Sequence, residues 1–200
     1  TSTVGPGQPA HRQARRLRPG QRAELHVVDV DTGLGRRVLS STQRLFEAPN
    51  WHPTGRWIVV NADGLLFRIE ADAPSGLVEI PTPGLPELNN DHLLSPDGRW
   101  HYLSANDGHL YRMPWEGGTP ERLTAPKAPA RRFRHFLHGV SPDGRTLAYV
   151  GTEDLNGDNS SNIGRGKLYR ADPGAASLED NRATLEQRGD FELRQYQPYV

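Results

Sequence analysis

The 200-residue chain contains no cysteine, so disulfide staples and thiolate chemistry are excluded. It carries no excess of either charge: 24 Lys and Arg balance 24 Asp and Glu. A surface built to hold nucleic-acid phosphates rests on surplus positive charge, so nucleic acid is not the expected partner. Apolar residues make up only 34% of the chain, with 8% aromatic. No run is long and apolar enough to predict a transmembrane segment, and no signal-peptide core is visible near the N-terminus. That pattern favours a cytoplasmic over a periplasmic location. No Gly-x-Ser-x-Gly elbow is present, which removes the nucleophile of a serine hydrolase domain.

What is abundant is turn chemistry, with 21 Gly and 17 Pro. High Gly and Pro with short apolar clusters disfavours helix bundles and points to many short strands. Residues 1–22 differ, carrying Arg12, Arg15, Arg16, Arg18 and Arg22 without apolar periodicity, and are expected to form a flexible basic tail.

The chain repeats itself. Trp51-His52-Pro53-Thr54-Gly55-Arg56-Trp57 aligns with Leu94-Ser95-Pro96-Asp97-Gly98-Arg99-Trp100 and with Val140-Ser141-Pro142-Asp143-Gly144-Arg145-Thr146. The turn prolines lie 43 and 46 residues apart, a period that belongs to four-stranded propeller blades. Pro presets φ at the first central position, Asp tolerates the second, and Gly supplies the left-handed residue that closes the hairpin. A β-type run follows each turn, and Ala62-Asp63-Gly64 and Asn106-Asp107-Gly108 mark the next hairpins. Third strands follow at 65–69, 109–113 and 167–170, and fourth strands at 77–80 and 121–124. Residues 24–30 and 37–39 read as the last two strands of a further blade.

Ser-Pro-Asp-Gly-Arg, an apolar strand, Leu-Tyr-Arg and Gly-Gly followed by Leu-Thr together resemble the blade motif of the TolB-like propeller family. The resemblance covers residues 23–172 and is closest over 95–124; Thr54 departs from the motif's Asp. It implies an all-β fold of four-stranded antiparallel blades, with about three and a half blades in this chain, hence a partial or truncated ring. Residues 173–200 lack the pattern and are expected to be an atypical C-terminal segment holding at most one closing strand. Open ring edges would permit self-association.

In such a fold the strand preceding each proline turn lines the channel. Polar residues there predict a ligand-binding mouth of Glu47, Asn90, Asp91, His92, His135 and His138. The sequence identifies no catalytic residue. His135 and His138 are the candidate metal ligands, with a divalent ion as the implied cofactor. Trp57 and Trp100 are expected to pack in the core or between blades, and Trp51 and Trp115 to stay partly exposed. Asp154-Leu155-Asn156-Gly157-Asp158-Asn159 resembles the start of a calcium loop, but Arg165 stands where the closing glutamate is required, so a polar hairpin loop is the simpler expectation.

The resemblance implies three functions. TolB-type propellers bind a protein or peptide without catalysis. Oligogalacturonate lyases, similar in blade motif, use channel histidines for a metal and for proton abstraction, which would make an oligosaccharide the partner. Prolyl-oligopeptidase relatives carry the propeller beside a separate catalytic domain.

Overall fold

The computed structural model describes residues 14–125 and 133–152, together with the backbone of residues 167–171. The acidic loop at 154–159 and the segment 173–200 lie outside them. The described residues form thirteen strands and no helix. β1 (Ala23–Val28) and β2 (Gly35–Ser41) make a two-stranded sheet. Blade 1 is β3 (Phe46–Trp51), β4 (Trp57–Ala62), β5 (Leu65–Glu70) and β6 (Val78–Ile80). Blade 2 is β7 (Leu88–Leu94), β8 (Trp100–Ala105), β9 (Leu110–Pro114) and β10 (Glu121–Arg122). Blade 3 is β11 (Arg134–Val140), β12 (Leu147–Thr152) and β13 (Lys167–Ala171). All pairings are antiparallel between sequence neighbours, the meander of a propeller blade.

The proline turns close as their residues dictate. In blade 2 the Gly98 N–H donates to the Ser95 carbonyl (2.9 Å), and Gly98 takes φ 72°. The Ser95 hydroxyl donates to Asp97 Oδ1 (2.6 Å) and accepts from the Trp100 N–H (3.0 Å), while Asp97 Oδ1 also accepts from the Arg99 N–H (3.0 Å). Ser141 and Asp143 repeat this circuit in blade 3. The two Asp-Gly hairpins differ. Asp63 and Gly64 both take positive φ (52° and 78°), a tight two-residue turn. At Asn106-Asp107-Gly108 only Gly108 does, and the Ala105 N–H closes a wider loop on the His109 carbonyl (3.0 Å).

Side-chain alternation along the second strand of each blade builds the interior. β4 turns Ile58 and Val60 toward the β1–β2 sheet, where they meet Leu25, Val38 and Phe46. It turns Val59 the other way, onto Leu88, Leu94 and Leu103 of blade 2. Blade 2 in turn presents Tyr102 and Leu110 to Leu137, Leu147 and Tyr149 of blade 3. Because blades 1 and 2 are covered on both faces, their second strands read as continuous apolar runs, and the core is a set of layers between blades.

Candidate functional site

β3, β7 and β11, the first strands of their blades, lie side by side at the centre. Each is irregular at mid-length. The pairing of β3 with β4 shifts between Glu47 and Asn50, that of β7 with β8 between Leu88 and His92, and that of β11 with β12 between Leu137 and Gly139. Extra residues are thereby set out of the ladder: Ala48 and Pro49, Asn89 to Asp91, and His138. Ala48 takes φ 49°, a left-handed conformation that a non-glycine residue adopts at a cost of roughly 1–2 kcal/mol. The Asn50 amide ties the arrangement together, donating to the Ala48 carbonyl (3.0 Å) and to the His92 carbonyl of the next blade (2.8 Å).

The β7 bulge and Glu47 of β3 border a cavity of about 300 Å³ at the end of the channel where β3 and β7 begin. Glu47, Asn61, Asn89, Asn90 and Asn106 line it, with Arg15 from the N-terminal segment. Arg15 donates to Glu47 Oε1 at 2.7 Å, and the Glu47 side chain is only 19% exposed. Asn61 Oδ1 is buried without a hydrogen-bond partner among the described residues. Asp63, also on the wall, is paired with Arg44 (2.9 Å). Asp91 sits beside this cavity; burial raises its carboxyl above the ordinary range, while the charges of His138 and Arg15 pull it down. The Asn89 side chain accepts from the Asp91 N–H (2.7 Å), fixing the bulge that carries them both.

The six sequence-predicted site residues therefore divide. Glu47, Asn90, Asp91 and the exposed His138 gather at the channel end. His92 and His135 do not: both are sealed between blades, 3% and 2% exposed. The His135 Nδ1 bonds the Gly108 carbonyl at 2.7 Å, and its ring packs on Phe133, His109 and Tyr149. His135 and His138, the candidate metal pair, lie three residues apart on β11 and so face opposite ways, one ring buried and the other exposed. Among the described residues no group of three His, Asp or Glu side chains converges on a point that would hold a metal ion.

Trp115 is partly exposed, as expected. It packs against His52 (centroids 4.2 Å), His101 (5.2 Å) and the Arg68 guanidinium (5.0 Å). Trp57 and Trp100 each lie under an arginine, Arg68 at 5.2 Å and Arg112 at 5.0 Å. Trp51 is exposed, as expected. His101 is fully buried, its Nε2 on the Trp115 carbonyl (3.1 Å), and burial holds the rings of both His92 and His101 at about 4, so both are neutral at pH 7. Sequence reasoning missed Asn61 and Arg15. Asn61 interrupts the apolar run of β4, and that interruption was a readable signal.

No protein-family model matches the chain. It is 35% identical over 122 residues to an uncharacterised protein of Agrobacterium fabrum, an alignment covering 59% of this chain and 40% of that one. A solved structure assigned as TolB from Agrobacterium tumefaciens superposes with TM-score 0.63 at 29% identity, covering 74% of this chain and 50% of that chain. Oligogalacturonate lyase from Vibrio parahaemolyticus superposes with TM-score 0.50 at 12% identity, covering 81% and 46%, a likeness of fold alone. The chain spans half or less of the length of each of these relatives.

Proposed function

We propose that this chain, whose fold is that of TolB-like β-propellers, is a non-catalytic binding module that takes a peptide segment bearing a basic side chain at the end of its channel. The observation that carries the reading is the Arg15–Glu47 contact: the chain's own arginine already occupies a partly buried carboxylate at the cavity wall, at 2.7 Å. Charge-assisted hydrogen bonds of this kind are worth about 1.5–3 kcal/mol where water is partly excluded. The wall around Glu47 is built of asparagine amides, which donate and accept, and so match a peptide backbone. Asn61 Oδ1 adds an acceptor for which the described residues supply no donor.

The test uses three fluorescent hexapeptides that differ at one position, arginine, alanine or glutamate, with anisotropy as the readout. The arginine peptide is expected to bind at least tenfold tighter than the glutamate one. Equal affinities would remove the reading.

The carbohydrate-active alternative, an activity like that of the oligogalacturonate lyases, has less support. It relies on His135, whose Nδ1 is engaged by the Gly108 carbonyl. Release of an ultraviolet-absorbing unsaturated product from pectate fragments in the presence of manganese would favour it instead.

A further inference from the structure

A second cavity, of about 470 Å³, lies at the proline-turn side between blades 2 and 3. Ser95, Asp97, Trp100, Tyr102, Arg112 and Gly144 border it. The same place between blades 1 and 2 is full, and the repeat shows what fills it. His52 there occupies the turn position that Ser95 holds in blade 2, and Gly98 occupies the position of Gly144. The His52 Nε2 lies 3.1 Å from the Gly98 carbonyl, and its Nδ1 lies 2.8 Å from Thr54 Oγ1. A carbonyl only accepts, so Nε2 carries the proton and Nδ1 accepts from the threonine hydroxyl. The imidazole is packed hard on the glycine: a Cβ on Gly98 would lie 2.5 Å from Nε2.

Between blades 2 and 3 the histidine is replaced by a serine whose hydroxyl turns back to Asp97 (2.6 Å). A Cβ on Gly144 would meet only Pro96 Cδ, at an ordinary 3.5 Å. Trp100 lies under Arg112 as Trp57 lies under Arg68, whereas Leu147 stands at the strand position of His101, which stacks on Trp115 beside His52. The imidazole that fills the place between blades 1 and 2 has no counterpart at Ser95.

We propose that this cleft is a binding site for a planar nitrogen heterocycle of imidazole size, seated between the two proline turns with its ring N–H donated to the Gly144 carbonyl, as His52 is donated to Gly98. The ligand is either a free heterocycle or a histidine side chain of another polypeptide; the chemistry is the same. This site is separate from the Glu47 cavity and does not depend on it.

The test is an NMR titration of the ¹⁵N-labelled protein at pH 8 with imidazole, and separately with the tripeptide glycyl-histidyl-glycine. Saturable shifts are expected at the Trp100 indole N–H and the Gly144 amide, with a dissociation constant on the order of 1 mM for the five-atom ring. N-methylimidazole, which lacks the donor, is expected to bind at least fivefold more weakly. Ser95→His, which supplies the ring internally, should abolish the shifts, and Ser95→Ala should keep them. The reciprocal variant His52→Ser opens the equivalent space between blades 1 and 2, and imidazole should then raise its melting temperature more than that of the wild type. Tighter binding of the tripeptide identifies a polypeptide partner; tighter binding of imidazole identifies a free heterocycle. The absence of saturable shifts at Trp100 and Gly144 with both probes, or undiminished shifts in a folded Ser95→His protein, would overturn the proposal.

Discussion

Lowering the pH from 7.5 to 5 should destabilise this protein through two buried rings, His92 and His101. Burial depresses both from 6.5 to about 4. The unfolded chain binds a proton at each histidine as the pH drops below about 6.5, whereas the folded state resists until about 4. Stability is therefore complete above 6.5 and is lost as the pH falls through that window. For one ring the loss at pH 5 is about 2 kcal/mol, from the ratio of the two proton-binding polynomials, and the pair gives about 4 kcal/mol. That is a large share of a typical domain's stability. The origin is geometric: His92 lies in the layer between blades, and His101 stacks on Trp115, whose carbonyl its Nε2 faces. Urea unfolding followed by tryptophan fluorescence at half-unit pH steps would measure it. His92→Leu and His101→Leu should each flatten the slope by about half, in excess of their own constant cost. A urea midpoint that stays level between pH 7.5 and 5 would refute the reasoning.

Three further outcomes follow from the packing between blades. Gly98→Ala should cost about 2–4 kcal/mol, since its Cβ would meet the His52 ring and its φ is 72°. Gly55→Ala, with φ 76° but open space around it, should cost only about 1–2 kcal/mol, so the difference in urea midpoints isolates the clash. Ser104→Ala should cost about 1–3 kcal/mol, because the Ser104 hydroxyl accepts the buried Leu137 N–H (2.9 Å) from blade 3, and thermal melts would report it.

The blades were legible in the sequence because their punctuation is local. Pro96-Asp97-Gly98 fixes its own turn, and Ile58-Val59-Val60 declares a strand covered on both faces. The position of Ser95 and Ser141 ahead of that motif acquires its meaning only from the hydrogen bonds to Asp97 and Asp143. The site was half legible. Polar residues on the inner strands marked the channel, but a bulge breaks the alternation that assigns a side chain to a face. In the run Arg134-His135-Phe136-Leu137-His138 strand alternation already turns residues three apart to opposite faces; both histidines were assigned to the mouth on residue type, and only His138 reaches its neighbourhood.

The central claim is that Glu47 is the seat of a basic side chain supplied from outside and now held by Arg15. Calorimetric titration of the Arg15→Ala protein with N-acetylarginine amide tests it most directly. Removing the internal competitor should strengthen binding about tenfold over the wild type, and adding Glu47→Gln in the same protein should abolish that gain, in line with the loss of one charge-assisted bond. Affinity unchanged by Arg15→Ala, or a gain that survives Glu47→Gln, would contradict the account.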